Sequence, residues 1–365
     1  MPDLFYLGWS RLHRGRANAL QTLRTVAAFE AIGVSTRLYL PPWKSSYRLS
    51  EELSALGLPA HLDIQPSALL HRRWGGWPFV LRYRKLLSGS VQVYTRVPQL
   101  SLVLGRLGVR HHLELHEVER FAENGDLARI LDLQRAGWID RIIPISEGAK
   151  QILLAAGASE EALHVAPSGV DLSAYAGIPA FDPARLRHPR IVHLGRVSRE
   201  RGLPIFEAIA KDGKYSLTLV GSQDHQGEGG LTVMPPVPPS QVPALYGESE
   251  IVLVPYQPGL KQVGSMSPLK LFEALASGRP IIASDLPTIR EVVRNEHDAL
   301  LVPPDEPRAW LEAVERLRAD PELAARIAAS ARETARNYSW EARAAGIARA
   351  IGLQLEPQEP TAGPS

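Results

Sequence analysis

The sequence predicts an α/β protein of two units, each a parallel β-sheet covered by helices. Three observations carry that prediction. Short apolar runs alternate with helical patterns along the chain, as parallel strands buried on both faces require. The alternation lapses once, over 173–189, where Pro179, Pro183 and Pro189 interrupt it, and then restarts. A length of 365 residues accommodates two domains with a core each.

Taken in order, Leu4-Phe-Tyr-Leu7 is an apolar run that predicts a strand. Residues 17–31 place Leu20, Leu23, Ala27 and Ala31 on one helical face. Strands are expected at 34–40 (ended by Pro41 and Pro42), 91–95, 112–115 and 141–145, with helices through Leu104 and over 127–136. The span 173–189 is read as a linker. Beyond it, strands are expected at 190–194, 217–220, 251–254, 279–283 and 299–302, with helices between them. Pro235-Pro-Val-Pro-Pro239 is a rigid loop before a short helix at 240–247. From Glu306 the pattern is helical, with Trp310, Val314 and Leu317 on one face, and Ser339 is placed to start a last helix. Residues 354–365, rich in Pro, Gly and Gln, are expected to be disordered.

Composition removes several classes. Apolar content of 45% and charged content of 22% are those of a globular protein. No apolar run approaches the ~18–20 residues that span a bilayer. Arg11, Arg14 and Arg16 interrupt the start, so no cleaved leader is expected and the default location is cytoplasmic. Zero cysteines exclude disulfides, thiol nucleophiles and cysteine-ligated zinc. The net charge of +2 hides a gradient: residues 1–110 hold 15 Lys/Arg against 5 Asp/Glu, whereas 111–172 hold 5 against 11. A basic first hundred residues suggests an anionic partner on that side. No P-loop, Gly-x-Gly-x-x-Gly fingerprint or Gly-x-Ser-x-Gly elbow occurs, which weakens hydrolase, dehydrogenase and esterase readings.

The segment from Gly264 to Asp285 carries the most chemistry. Ser267 is a good N-cap, Pro268 suits a first helical position, Gly278 and Pro280 end the helix, and Ile281-Ile-Ala follows as a strand. The first turn then offers backbone N–H groups, the positive end of a dipole and Lys270, a site suited to a diphosphate. Glu273 lies deeper along the helix, where a carboxylate accepts hydrogen bonds from sugar hydroxyls.

The run "SPLKLFEALASGRPIIASDLP" resembles the donor-binding segment of GT-B glycosyltransferases of retaining family 4 (glycosyltransferase group 1). Three further runs resemble that family in order and spacing: "HVAPSGVDL" from His164, "IVHLGRVSRERGL" from Ile191, and "WIDRIIPISEGAKQIL" from Trp138. With "RANALQTLRTVAAFEAIGVSTRLYLP" near the start, the resemblance covers nearly the whole chain. It implies two Rossmann-like domains facing across a cleft. Residues 1–172, completed by a returning helix at 339–353, would hold the acceptor, and 173–338 would hold a nucleotide sugar. It implies a retaining hexosyltransferase moving a sugar from a nucleoside-diphosphate donor to a glycan or lipid-linked acceptor.

Several site residues follow from the resemblance. Arg196 and Arg201 would face the donor diphosphate, with Gly221, Ser267, Leu269 and Lys270 around it and Glu273 on the ribose. Two fixed cations and a helix N-terminus would replace the metal that other glycosyltransferases hold with Asp-x-Asp, a motif absent here. No cofactor and no metal are therefore expected. Arg201 stands where the family usually has Lys, keeping the charge and changing its shape. Glu273 matches the second glutamate of the family's Glu-x7-Glu, but the first position is Ser265, a departure that bears on the choice of donor sugar. His116, after a predicted strand, would contact the donor sugar at the strand's carboxyl end. A lone loop arginine, glutamate or histidine has a plain surface reading as well, and it is the surrounding pattern that favours the site.

Gly15, between Arg14 and Arg16, permits close backbone approach to a phosphate or sugar. His111, His112 and His116 resemble a metal cluster, but His111 and His112 point to opposite faces of a strand. Residues 71–85 mix Arg/Lys with aromatics, which suits contact with an anionic membrane at the inner face, or a solvated basic surface over core aromatics. Gly and Pro break its first half, so a single clean amphipathic helix is not expected. No nucleic-acid module is recognised. The alternatives to an active transferase are an inactive sugar-nucleotide-binding partner, motivated by Ser265, and another GT-B enzyme such as an epimerase or phosphorylase.

Overall fold

The computed structural model describes residues 1–12, 17–221 and 230–355. The chain divides into two compact units, Met1–Pro167 with the segment from Trp340 onward, and Ser168–Ser339.

Unit 1 holds six parallel strands: β1 (Leu4–Leu7), β2 (Thr36–Leu40), β3 (Asp63–Pro66), β4 (Gln92–Thr95), β5 (His111–Leu115) and β6 (Ile139–Pro144). Their order is β3-β2-β1-β4-β5-β6, with Leu4 opposite both Thr36 and Gln92. Unit 2 repeats the plan with β7 (Arg190–Leu194), β8 (Ser216–Val220), β9 (Leu231–Met234), β10 (Ile251–Val254), β11 (Ile281–Ser284) and β12 (Leu300–Val302), in the order β12-β11-β10-β7-β8-β9. In each sheet the winding reverses beside the first strand, so β1/β4 and β7/β10 are the switch points where such sheets open a crevice.

Strand periodicity explains why both faces are covered. Along β10, Val252 and Val254 enter one core with Leu271, Phe272 and Leu275, while Ile251 and Leu253 enter another with Leu217, Phe206 and Trp310. In unit 1, Phe5 and Leu7 pack with Phe79, Val80 and Leu100, and Leu113 and Leu115 pack with Phe121 and Ile130.

The predicted strands are present, their ends shifted by at most two residues. β3 and β9 were not predicted. Both are four-residue edge strands, and the Asp-Ile-Gln-Pro of β3 has one buried residue. The helix expected from Glu306 is two helices, Pro307–Ala319 and Pro321–Ala335, because Asp320 Oδ1 accepts from Leu323 N–H at 2.9 Å and starts a new one.

The reading of 173–189 as linker is corrected. Tyr175, Ile178 and Leu186 are buried there, and short turns at Leu172–Tyr175 and Pro183–Arg187 are capped by Asp171 and Asp182. The division falls at Pro167/Ser168, not 172/173, because Ser168 is tied into unit 2. Its N–H donates to Ser267 Oγ at 2.8 Å and its hydroxyl donates to the Ser267 carbonyl at 2.9 Å. The last helix, Trp340–Ala350, packs on helix Ala17–Ala31 of unit 1. Of the predicted tail, 356–365 lie outside the described residues.

Candidate functional site

In unit 2 the candidate site lies at the carboxyl ends of β7 and β8. Gly195 follows β7 and donates its N–H to the Val220 carbonyl at 2.8 Å. Gly221 follows β8 with φ +109°, and a Cβ there would lie 3.1 Å from the Gly195 carbonyl oxygen. Only glycine combines that backbone angle with that approach. A Cβ on Gly195 would in turn lie 3.3 Å from His193 Nε2 and 3.8 Å from Lys270 Cγ, so the lysine stem crosses this turn.

His193 is buried, and its Nδ1 lies 3.0 Å from the Leu253 carbonyl. Burial, with the nearby charges of Lys270 and Arg201, lowers its pKa to about 4. The ring is therefore neutral at pH 7. Its Nδ1–H donates to the carbonyl, and the buried Nε2 has no hydrogen-bond partner among the described residues. Arg201 ends the short turn Arg199–Arg201, and its charge also reaches the hydroxyl of the partly buried Tyr256. Arg196 leaves the same loop as an exposed side chain. The Lys270 stem thus crosses the Gly195 turn, the charges of Lys270 and Arg201 both reach the His193 ring, and Arg196 is exposed on the same loop.

Helix Leu269–Ser277 begins one residue later than predicted. Pro268 occupies the N-cap position and makes no side-chain cap. The Ser267 hydroxyl is not the cap because it accepts the Ser168 N–H. The helix buries Leu271, Phe272, Ala274 and Leu275, and ends at Gly278 in the left-handed conformation, as the sequence predicts. Its other face presents Lys270 and Glu273, one turn apart, with Nζ 2.7 Å from Oε2. The buried Tyr246 hydroxyl also faces Glu273; burial, then the Glu273 charge, raises its pKa well above the usual tyrosine value. Ser265 is fully buried, so no carboxylate stands where the motif has its first glutamate. Gly15 lies outside the described residues.

Unit 1 has a pocket of about 270 Å³ at its own switch point. Trp9 follows β1, Arg96 follows β4 and His116 follows β5, and all three line it, with Arg72, Glu117 and Arg120. Arg120 pairs with Glu117 at 2.8 Å. Arg96 donates to neutral acceptors, Gln21 Oε1 at 3.0 Å and the Asn18 carbonyl at 3.3 Å, and its charge also reaches the buried Glu114 carboxylate.

Behind His116 stands a buried ionic network. Glu114 is 2% exposed and accepts from the Tyr94 hydroxyl, from His116 Nε2 and, at 3.0 Å, from Arg343 Nη2. Burial opposes ionisation of Glu114, but Arg343 and His116 outweigh it and hold the carboxyl well below its ordinary range. Arg343, on the last helix, also donates through Nε to the Pro167 carbonyl at 2.9 Å. Burial and the Arg96 charge lower the His116 pKa to about 4. A neutral His116 that gives its Nε2–H to Glu114 leaves the Nδ1 lone pair as an acceptor. His111 and His112 serve elsewhere: His111 Nε2 meets Ser101 Oγ at 2.6 Å and His112 Nε2 meets Gln92 Oε1 at 2.9 Å.

Sequence reasoning missed Arg96, the place of Arg72 in this pocket, and Arg343 as the partner of Glu114. Arg96 carried a usable signal, since it directly follows an apolar strand as His116 does. Arg343 carried none, because its partner lies on a strand of the first half.

The family model for glycosyl transferases group 1 matches residues 188–320. A D-inositol 3-phosphate glycosyltransferase of Rhodococcus jostii (strain RHA1) is 27% identical over 237 residues, covering 57% of this chain and 51% of that protein. The chain spans about half the length of such relatives. The crystal structure of Anabaena Alr3699/HepE in complex with UDP-glucose aligns with a TM-score of 0.69 at 15% identity, covering 96% of this chain and 99% of that one. Sucrose-phosphate synthase (tll1590) from Thermosynechococcus elongatus aligns with a TM-score of 0.70 at 17% identity, over 95% and 98%. Residues 188–320 are therefore a glycosyl transferases group 1 domain, and the chain that carries them has the GT-B fold.

Proposed function

We propose that the chain is a retaining, metal-independent glycosyltransferase that moves a hexosyl group from a nucleoside-diphosphate sugar to an anionic, hydroxyl-bearing acceptor. The observation that carries this reading is the Lys270 stem lying across the Gly195–Gly221 turn at the start of helix Leu269–Ser277, with the Arg201 charge reaching the same His193 ring. Glycosyl transfer breaks the bond between the anomeric carbon and the β-phosphate, and charge develops on the leaving diphosphate. Fixed cations and backbone N–H groups there stabilise that charge without reorganising. Arg196 at the rim adds a third cation, and Glu273 takes the ribose hydroxyls. No side chain of the described site is placed as a nucleophile. The acceptor oxygen attacks on the face the diphosphate leaves, and the acceptor proton passes to the departing phosphate oxygen. The UDP-glucose bound by Alr3699/HepE supports a nucleotide-sugar donor.

Unit 1 supplies the acceptor part. Arg72 and Arg96 suit a phosphate or carboxylate, and His116 Nδ1 suits a sugar hydroxyl. The D-inositol 3-phosphate named for the relatives is an acceptor class of that kind.

The test is nucleoside diphosphate release from UDP-, GDP- and ADP-sugars, with anionic and neutral polyol acceptors, with and without chelator. Turnover that survives chelation supports the proposal, and loss of turnover on chelation refutes metal independence. Binding without turnover across all pairs assigns the chain to the inactive reading that Ser265 motivates. Lys270→Ala is expected to weaken nucleoside diphosphate binding by about tenfold or more, the worth of one charge-assisted contact.

A further inference from the structure

We propose that residues 72–85 of unit 1 form a face that docks on the anionic surface of a lipid bilayer. Among the described residues, the exposed large apolar side chains other than Met1 are Trp74 (41%), Trp77 (37%) and Leu81 (58%). All three fall in this short segment. As the sequence leads one to expect, 71–85 is not one helix: Gly75 and Gly76, both left-handed, separate the turn Arg72–Trp74 from helix Trp77–Leu87, which takes Pro78 in its first turn. That helix buries Phe79, Val80 and Leu87. Trp77, Leu81, Arg84 and Lys85 recur at i, i+4, i+7 and i+8 and are all exposed, so one outward face carries apolar residues followed by cations. Trp74 sits on the turn Arg72–Trp74 just before, with the Arg73 guanidinium 4.6 Å over its ring.

Charge decides the occupant. Residues 64–113 contain eight Lys/Arg and no Asp/Glu. Arg73, Arg82, Arg84 and Lys85, all exposed, share this short segment with the apolar side chains, and their own stretch supplies no carboxylate. Indole rings settle at headgroup depth, leucine reaches the acyl boundary, and lysine and arginine meet lipid phosphates. A second copy of the chain fits poorly, because a two-fold contact would set these cations against themselves. The inference goes beyond the proposed activity and stands without it.

The test is co-sedimentation of the full chain with phosphatidylcholine vesicles and with mixed phosphatidylcholine–phosphatidylglycerol vesicles, at low and high salt, with tryptophan emission as a second readout. The expected result is binding to the mixed vesicles at least about tenfold stronger than to the neutral ones, a blue-shifted emission, and weakening by salt. R84E/K85E and W77S/L81S should each lower that binding about tenfold or more, with circular dichroism and melting unchanged. Equal binding to both vesicles, no binding to the mixed ones, or variants that bind like the wild type would overturn the proposal. So would a lipid-free dimer that W77S/L81S abolishes.

Discussion

Glu114 and Arg343 show how much rests on single side chains here. Each is almost fully buried, and each depends on the other for its charge. Glu114→Gln leaves the Arg343 guanidinium buried without its counter-ion, and breaking such a pair costs on the order of 3–5 kcal/mol. The fall should appear in the midpoint of urea unfolding. The same substitution replaces the carboxylate by an uncharged amide with one acceptor oxygen and a competing donor, which weakens the hold on His116 Nε2–H, so the ¹⁵N shifts of that ring should move toward a tautomer mixture. Arg343→Lys keeps the charge and loses the fork, and should cost less. Lys270 and Glu273 were legible in the sequence because helical spacing alone brings i and i+3 together. The Glu114–Arg343 pair was not, because only the return of the last helix joins them.

At the scale of elements, helix Leu269–Ser277 has two jobs. Its apolar side anchors it to the β7/β10 region of the sheet, and its polar side presents Lys270 and Glu273. Phe272, fully buried and 5.1 Å from the Tyr338 ring, is the largest anchor. Phe272→Ala should cost about 3–5 kcal/mol, read by denaturant titration, and should weaken nucleotide binding by letting the helix start shift. The start of this helix was misread by one residue for a physical reason. A serine before a proline looks like a cap, but the sequence does not show that the Ser168 backbone claims its hydroxyl. The edge strands β3 and β9 escaped for another: a strand paired on one side needs no apolar alternation. The glycine stop at Gly278 was plain, since the left-handed conformation has few other candidates.

Across the whole molecule, protonation couples both units to pH. Burial lowers the pKa of His111 to about 4, of His112 to about 3 and of His193 to about 4. An unfolded histidine takes up its proton near pH 6.5, whereas these take theirs up only at lower pH. Folding therefore loses stability as pH falls from about 6.5 toward 4, by up to about 3 kcal/mol for each ring. Glu114, held ionised, adds a loss below its unfolded value, near pH 4.5. Melting temperature should be flat above pH 7 and fall steadily between pH 6.5 and 4. A flat profile across that window would show the imidazoles to be hydrated rather than buried. The two-unit plan itself was readable from the alternation and its single pause, although the pause proved to be packed structure.

The ionic lock on the last helix also orders events at the ribosome. Unit 1 is begun first, yet Glu114 waits for Arg343, which emerges only after the whole of unit 2 has been made. The second unit can thus finish its core while the first still lacks a wall. A stalled or truncated product without the final helix would leave a half-built opening unit, with an unneutralised acid at its centre, as substrate for chaperone and protease.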